Sequence, residues 1–429
     1  MITSVIFFAI LVLLLLLGFP VAISLGLVSV AWMFSVGSSM QIAATRVFAS
    51  IDSFVLMGLP FFILAGEIMN SSGITDRIIR FVNIIIGRAR GGLAQANIFT
   101  SLLFAGITGA AISDVSALGS VFIPAMEKQG YKRPFAAMIT AASSIVGPII
   151  PPSIIIVTYC AITQNSIGAF FSAAIVPGII VGVSMSIMVA VIGKKRNFPK
   201  VEEKFSFKEL LLTFKDTILA IMMPLIIIGG IITGVFTPTE SAAFAVFYAL
   251  LVSVFIFRSM NLSKLYEAMR NTIRTSAILF FIFGVAGILG WIIARINLPI
   301  ILAESFLEIS DNTTILFLLI VLLLMFVGTW LETGASVIIL APILAPMMTQ
   351  LGIHPIHFGV VMIVTLNVGL ITPPLGVCLF AAAGVGKVSF ESICKEIWPF
   401  IILDLVVIIL LVLFPELSLY IPRMLGFIN

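Results

Sequence analysis

Apolar runs about as long as a bilayer is thick follow one another along this chain, parted by short charged or turn-rich breaks. A crossing helix needs about 20 such residues, and the runs fall at 4–18, 21–36, 54–70, 134–160, 170–193, 214–235, 239–257, 275–294, 357–383 and 397–414. Two more stretches, 92–129 and 312–350, are too long for one helix and carry polar residues at mid-length. They read as helical hairpins that enter and leave by the same face. With 61% of its 429 residues apolar and 10% charged, the chain lacks the charge that a soluble domain needs for its surface. The expected fold class is therefore an all-α polytopic membrane protein in a lipid bilayer. Its 23 Lys and Arg against 19 Asp and Glu leave +4, too small and too scattered for a nucleic-acid partner. Cys160, Cys378 and Cys394 are isolated, which indicates neither a disulfide framework nor a cysteine metal site. No cleavable signal peptide is expected, because the first apolar run continues from Val5 past Pro20 to Trp32 without a basic segment before it.

Basic residues favour the cytoplasmic ends of crossings. With the N-terminus outside, 20 of the 23 fall inside: Arg77 to Arg90, Lys128 to Arg133, Lys194 to Lys215, Arg258 to Arg274, Lys387 and Lys395. Arg46, Arg295 and Arg423 remain outside. Both termini are thus expected outside, with 194–216 as a cytoplasmic linker. The count does not separate a re-entrant hairpin from two full crossings, so the tips decide. Gly106-Ile-Thr-Gly-Ala-Ala-Ile-Ser-Asp114 and Gly328-Thr-Trp-Leu-Glu-Thr-Gly334 are filled with small residues. These suit close packing at mid-membrane depth, where exposed backbone is tolerated only inside protein or beside water.

The charged linker separates a first repeat, 1–193, from a second, 217–429. Each opens with two crossings joined at a proline turn, Gly18-Phe-Pro20 and Thr237-Pro-Thr-Glu240. Each continues into an amphipathic segment with one arginine, Arg46 and Arg270, 224 apart. Scaffold helices are expected over 1–53 and 217–274. Gly66 and Gly290 keep the 224 offset, and from the hairpins onward it becomes 222. Pro124 then matches Pro346, Gly130 matches Gly352, Gly147 matches Gly369, Pro151 and Pro152 match Pro373 and Pro374, and Pro177 matches Pro399. Five crossings per half is an odd number, so the second copy is inserted upside down, the plan of many secondary transporters.

The strongest local signal is a pair of breaks inside apolar runs, Ser144-Ile-Val-Gly-Pro-Ile-Ile-Pro-Pro-Ser153 and Asn367-Val-Gly-Leu-Ile-Thr-Pro-Pro-Leu-Gly376. Consecutive prolines after a glycine interrupt a helix and free carbonyls. Ser144, Ser153, Asn367 and Thr372 add side-chain oxygens, a donor set that suits sodium, while half-helix N-termini attract a carboxylate. The plain alternative is a structural kink. Each hairpin tip also carries an acid, Asp114 and Glu332, costly at membrane depth unless paired, solvated or ion-bound. Each reads as a cation or substrate group, or else as a cap on the returning helix. Ser113 precedes Asp114, and Thr158 follows the first break. Glu67, Asp52, Glu240 and Asp404 are placed near crossing ends in structural roles, and His354 and His357 in an external turn.

These segments resemble the large membrane subunit of tripartite ATP-independent periplasmic (TRAP) transporters. The likeness runs from Gly18-Phe-Pro20 through Ile123-Pro-Ala-Met126, Gly130-Tyr131 and Gly147-Pro-Ile-Ile-Pro-Pro-Ser153. It continues through Leu351-Gly-Ile-His-Pro-Ile-His-Phe-Gly359 and Gly369-Leu-Ile-Thr-Pro-Pro-Leu-Gly376, covering essentially the whole chain. The resemblance implies a sodium-coupled elevator in the bacterial inner membrane, with the hairpin and interrupted helix of each repeat, 92–160 and 312–383, moving against the scaffold. It implies two protein partners, a small four-helix membrane subunit and a soluble periplasmic binding protein that delivers an organic acid. Sodium (Na+) would bind between each tip and break, at Gly109, Ser113, Asp114, Ser144, Gly147 and Pro148, and at Gly328, Thr329, Gly334, Asn367, Gly369 and Thr372. Substrate would lie near Ser113, Asp114, Ser153, Thr158 and Glu332, the last standing where relatives carry Asp. The overall likeness leans towards the sialic-acid branch; a C4-dicarboxylate permease or a stand-alone sodium/carboxylate symporter are the alternatives. No organic cofactor is expected. An enzyme is disfavoured by the lack of an HExxH motif or paired aspartates on one helix, and an ATP-driven pump by the lack of a GxxxxGK[ST] loop.

Overall fold

A computed structural model of the protein describes residues 2–199 and 207–428. These residues fold into helices without strands. The first half holds α1 (Ile2–Leu16), α2 (Val21–Ser35), α3 (Met40–Ile51), α4 (Phe54–Ser71), α5 (Ile74–Ile86), α6 (Gly92–Thr108), α7 (Ala111–Lys128), α8 (Arg133–Ser144), α9 (Ile154–Thr163) and α10 (Ile167–Lys195). The second holds α11 (Phe207–Ile232), α12 (Pro238–Leu251) with a π-helical turn (Val252–Ile256), α13 (Leu262–Arg295), α14 (Leu298–Leu307) and α15 (Thr313–Trp330). It ends with α16 (Thr333–Gln350), α17 (Pro355–Gly369), α18 (Val377–Gly386), α19 (Phe390–Leu413) and α20 (Glu416–Met424). Among the described residues, eight helices are long and apolar enough to cross a bilayer alone. The chain is a multi-pass membrane protein.

Two packing groups emerge. One joins α12 to α4 and lays α13 against α2, α3 and α4. The other gathers the helix pair α6–α7, the helix pair α15–α16 and the interrupted runs α8–α9 and α17–α18, with α10 and α19 beside them. Inside the second group α6 and α8 are joined by buried polar bonds. Asn97 Nδ2 donates to Thr140 Oγ1 at 2.7 Å, and Ser101 Oγ to Ser143 Oγ at 2.9 Å. Such bonds hold helices where water offers no competing partner.

Cap residues show how far the sequence offsets hold. The N-caps of α5 and α14, Gly73 and Asn297, are 224 apart and both left-handed. The N-caps of α7 and α16, Ala110 and Glu332, are 222 apart. After the proline pairs the spacing grows to 223, seen in the left-handed C-caps Gln164 and Lys387 and the N-caps Ser166 and Ser389. Pro177 and Pro399 are therefore one residue out of step, the eleventh residue of α10 and the tenth of α19.

Several expectations are corrected. The amphipathic Arg270 segment and the apolar run expected at 275–294 are one helix, the 34-residue α13, which runs unbroken, whereas Asp52 and Ser53 part α3 from α4. Within the 194–216 linker, α10 continues to Lys195 and α11 begins at Phe207; Lys200 and Lys204, assigned to the inner side by charge, lie outside the described residues. His354 caps α17, its Nδ1 accepting from Ile356 N at 3.3 Å, and His357 lies within that helix, 2.7 Å from Ser418 Oγ. Asp404 is not near a crossing end. It is the fifteenth of 24 residues in α19, fully buried, and both carboxylate oxygens lack a hydrogen-bond partner among the described residues.

Candidate functional site

Each helix pair turns through a two-residue tip, and each tip meets a proline break midway along an interrupted run. Gly109 ends α6 with φ +60°, and a Cβ there would lie 3.3 Å from Ile154 N and 3.6 Å from Pro152 O. Glycine suits both the left-handed turn and this approach. One turn into α7, Asp114 is fully buried with Oδ2 directed at Gly147, where a Cβ would collide with it. Ser144, also buried, donates to Ala141 O at 2.8 Å. Among the described residues the carbonyls of Gly147 and Ile149 accept no hydrogen bond. Aspartate, hydroxyl and free carbonyls thus gather within one tip–break junction, an all-oxygen set that fits a hard monovalent cation.

The second junction is built the same way from different groups. A Cβ on Gly328 would lie 2.7 Å from Leu366 O, and one on Gly369 would lie 2.6 Å from Gly328 Cα. Gly376 N donates to Thr329 O at 3.2 Å, stitching the end of α15 to the break. Thr333 Oγ1 donates to Asn367 Oδ1 at 3.1 Å, with both residues fully buried. Thr329 Oγ1 donates to Phe326 O at 2.7 Å and Thr372 Oγ1 to Val368 O at 2.8 Å. The second tip also reaches α9, since a Cβ on Gly334 would lie 3.3 Å from Cδ1 of Ile155, the second residue of that helix. Both tips therefore meet the first turn of α9, the first at its backbone and the second at a side chain, and the dipole at that end of the helix favours an anion.

Residues 8–417 match the family described as "Tripartite ATP-independent periplasmic transporter, DctM component". The chain belongs to that family. The sialic acid TRAP transporter large permease protein SiaM of Vibrio cholerae is 39% identical over 95% of this chain and 95% of its own. The C4-dicarboxylate TRAP transporter large permease protein DctM of Rhodobacter capsulatus is 32% identical over 99% and 100%. In fold, the YdaH transporter of Alcanivorax borkumensis superposes with a TM-score of 0.63 at 16% identity, over 88% of this chain and 89% of its own.

Within this TRAP large permease, the site residues read from sequence separate by burial and bonding. Asp114, Ser144, Asn367, Thr329 and Thr372 are buried at the junctions, with the glycines and Pro148 shaping their walls. Thr158 is 1% exposed and its Oγ1 has no hydrogen-bond partner among the described residues. Ser153 is committed elsewhere: its Oγ donates to Pro148 O at 2.5 Å and accepts from Ile156 N at 3.4 Å, capping α9. Glu332 is exposed and caps α16, its Oε2 accepting from Ala335 N at 3.2 Å, the role named as its alternative. Ser113 is exposed, and among the described residues no hydrogen bond ties it to the junction. Thr333, inside the tip motif, was not among the residues singled out from sequence, because its bond to Asn367 is a tertiary contact between segments 34 residues apart.

Proposed function

We propose that this permease drives sodium-coupled uptake of an organic acid, with a sialic acid as first candidate, by an elevator movement of the hairpin group against the scaffold. The observation that carries the reading is the convergence of two oxygen-lined junctions on one helix N-terminus. Two sodium ions there would hold each tip on its break and neutralise a carboxylate at the start of α9, where the chain offers no Lys or Arg. The likeness to SiaM favours sialic acid over a C4-dicarboxylate. Uptake by the chain with its small membrane subunit in proteoliposomes should require both an inward sodium gradient and the soluble binding protein. Equal uptake without sodium would overturn the coupling, and uptake without the binding protein would favour a stand-alone symporter.

The repeats are proposed to lie inverted in the inner membrane, with both termini outside and 194–216 inside. In that arrangement the hairpins are re-entrant, because each tip meets the middle of a run that crosses. The corresponding C-caps Gln164 and Lys387, both exposed, would then face opposite sides. Gln164→Cys should be modified by an impermeant thiol reagent from outside, and Lys387→Cys only after the cytoplasmic face is opened. Modification of both from one side would overturn the inversion.

A further inference from the structure

We propose that a cavity between α3 and the hairpin group is a receiving site for an organic acid, with Arg46 as its carboxylate-binding group. The inference deepens the proposed uptake of an organic anion and rests on it for the identity of the ligand. The cavity has a volume of about 720 Å³, within the range of about 300–1,000 Å³ for small-molecule sites. Arg46, Asp52 and Ser53 line it from the α3–α4 junction, Trp291 from α13, Gln164 from the end of α9 and Pro342 from α16. It therefore opens where the two packing groups meet. Its wall carries a guanidinium, a hydroxyl, an amide and an indole, the groups that bind a carboxylate, hydroxyls and the face of a sugar.

Elimination singles out Arg46. The face that is outer in the proposed orientation carries three basic residues, Arg46, Arg295 and Arg423. Arg295 lies over the Trp291 ring at 5.1 Å, and Arg423 Nη1 donates to both oxygens of Glu416 at 2.6 and 2.8 Å. Among the described residues Arg46 makes no side-chain hydrogen bond, ion pair or ring contact, and it is exposed to the cavity. The tips and breaks hold no Lys or Arg, so nothing at the junctions draws an anion from a distance. Asp52, on the same wall, opposes the attraction without pairing to Arg46, which leaves the field at the cavity sensitive to either charge.

Opposite shifts from the two charges are the test. In proteoliposomes with the small subunit and binding protein, Arg46→Gln should raise the KM for labelled N-acetylneuraminate roughly tenfold while the maximal rate stays within about twofold. Asp52→Asn should lower KM by about threefold, and both effects should shrink at high ionic strength. An unchanged KM in Arg46→Gln, or shifts in the same direction in both variants, would overturn the site, because a packing role does not follow the sign of the charge. A second readout needs no transport. Ala49 lines the cavity three residues from Arg46 and is exposed. In nanodiscs, the acid should slow maleimide labelling of Ala49→Cys, and the added Arg46→Gln change should abolish that protection. Protection without sodium-driven uptake would overturn the coupled reading and keep the cavity site; no protection would overturn the cavity site itself.

Discussion

Replacing Asp114 with alanine or asparagine should abolish sodium-driven uptake by the reconstituted complex, while assembly with the proposed small subunit should persist. The expectation follows from where the carboxylate lies. It is fully buried, one turn into α7, and Oδ2 is directed at the glycine of the first break. A charge in that setting needs compensation, and in the proposed mechanism a sodium ion would contribute it. Removing one member of a buried charge pair costs about 3–5 kcal/mol, or about two to nearly four powers of ten in affinity. Asparagine keeps the shape and one oxygen but not the charge, so it should fail nearly as badly as alanine. Glu332→Gln makes the contrast: the side chain caps α16, and an amide oxygen still accepts from Ala335 N. Loss of a cap costs about 1 kcal/mol, so that variant should keep most of its uptake. Sodium-dependent uptake by Asp114→Ala at a near-normal rate would remove Asp114 from the cation site.

The contrast between these two acids marks the limit of what the sequence made legible. Both stand in glycine-rich tips, and the 222-residue offset already sets Asp114 against Ser336 and Glu332 against Ala110, as the helix caps agree, but the offset does not say which acid is buried. Burial is a tertiary property: only the packing of α7 against α8 and α18 encloses Asp114. The breaks were legible because proline and glycine act on the backbone where they stand. The short helices α5, α14 and α20 were not, since all are below membrane length, α5 and α20 are divided between faces, and α14 is apolar but only ten residues long. In α5 the buried stripe is Ile74, Ile78, Ile79 and Val82 with Arg77 and Arg80 off it, a 3.6-residue pattern masked by the charge count. The unbroken α13 follows equally from local chemistry. Nothing between Leu262 and Phe283 is proline or glycine, so its amphipathic start and apolar remainder have no reason to part.

Gly369→Ala should uncouple the second junction as thoroughly as the loss of Asp114 disables the first. A methyl there would lie 2.6 Å from both Cα and the carbonyl carbon of Gly328. Its obstacle is backbone rather than a side chain that can turn aside, so the second tip must lift from its break. Overpacking typically costs about 1–3 kcal/mol, and backbone contact places this change at the upper end, about a hundredfold in sodium affinity. Lifting the tip would also strain the Gly376–Thr329 bond and separate Thr333 from Asn367, the polar pair buried between tip and break. Gly328→Ala should give the same phenotype from the opposite wall, since its methyl would meet Leu366 O at 2.7 Å. Gly384→Ala is the control: it lies in α18 with open space around its Cβ position and should transport normally. Sodium-induced thermal stabilisation of the purified complex measures the loss directly, because a ligand that binds only the folded state raises its stability with concentration. Full stabilisation by sodium in both Gly328→Ala and Gly369→Ala would show that the close approach of tip and break is packing alone, and would leave one cation junction rather than two.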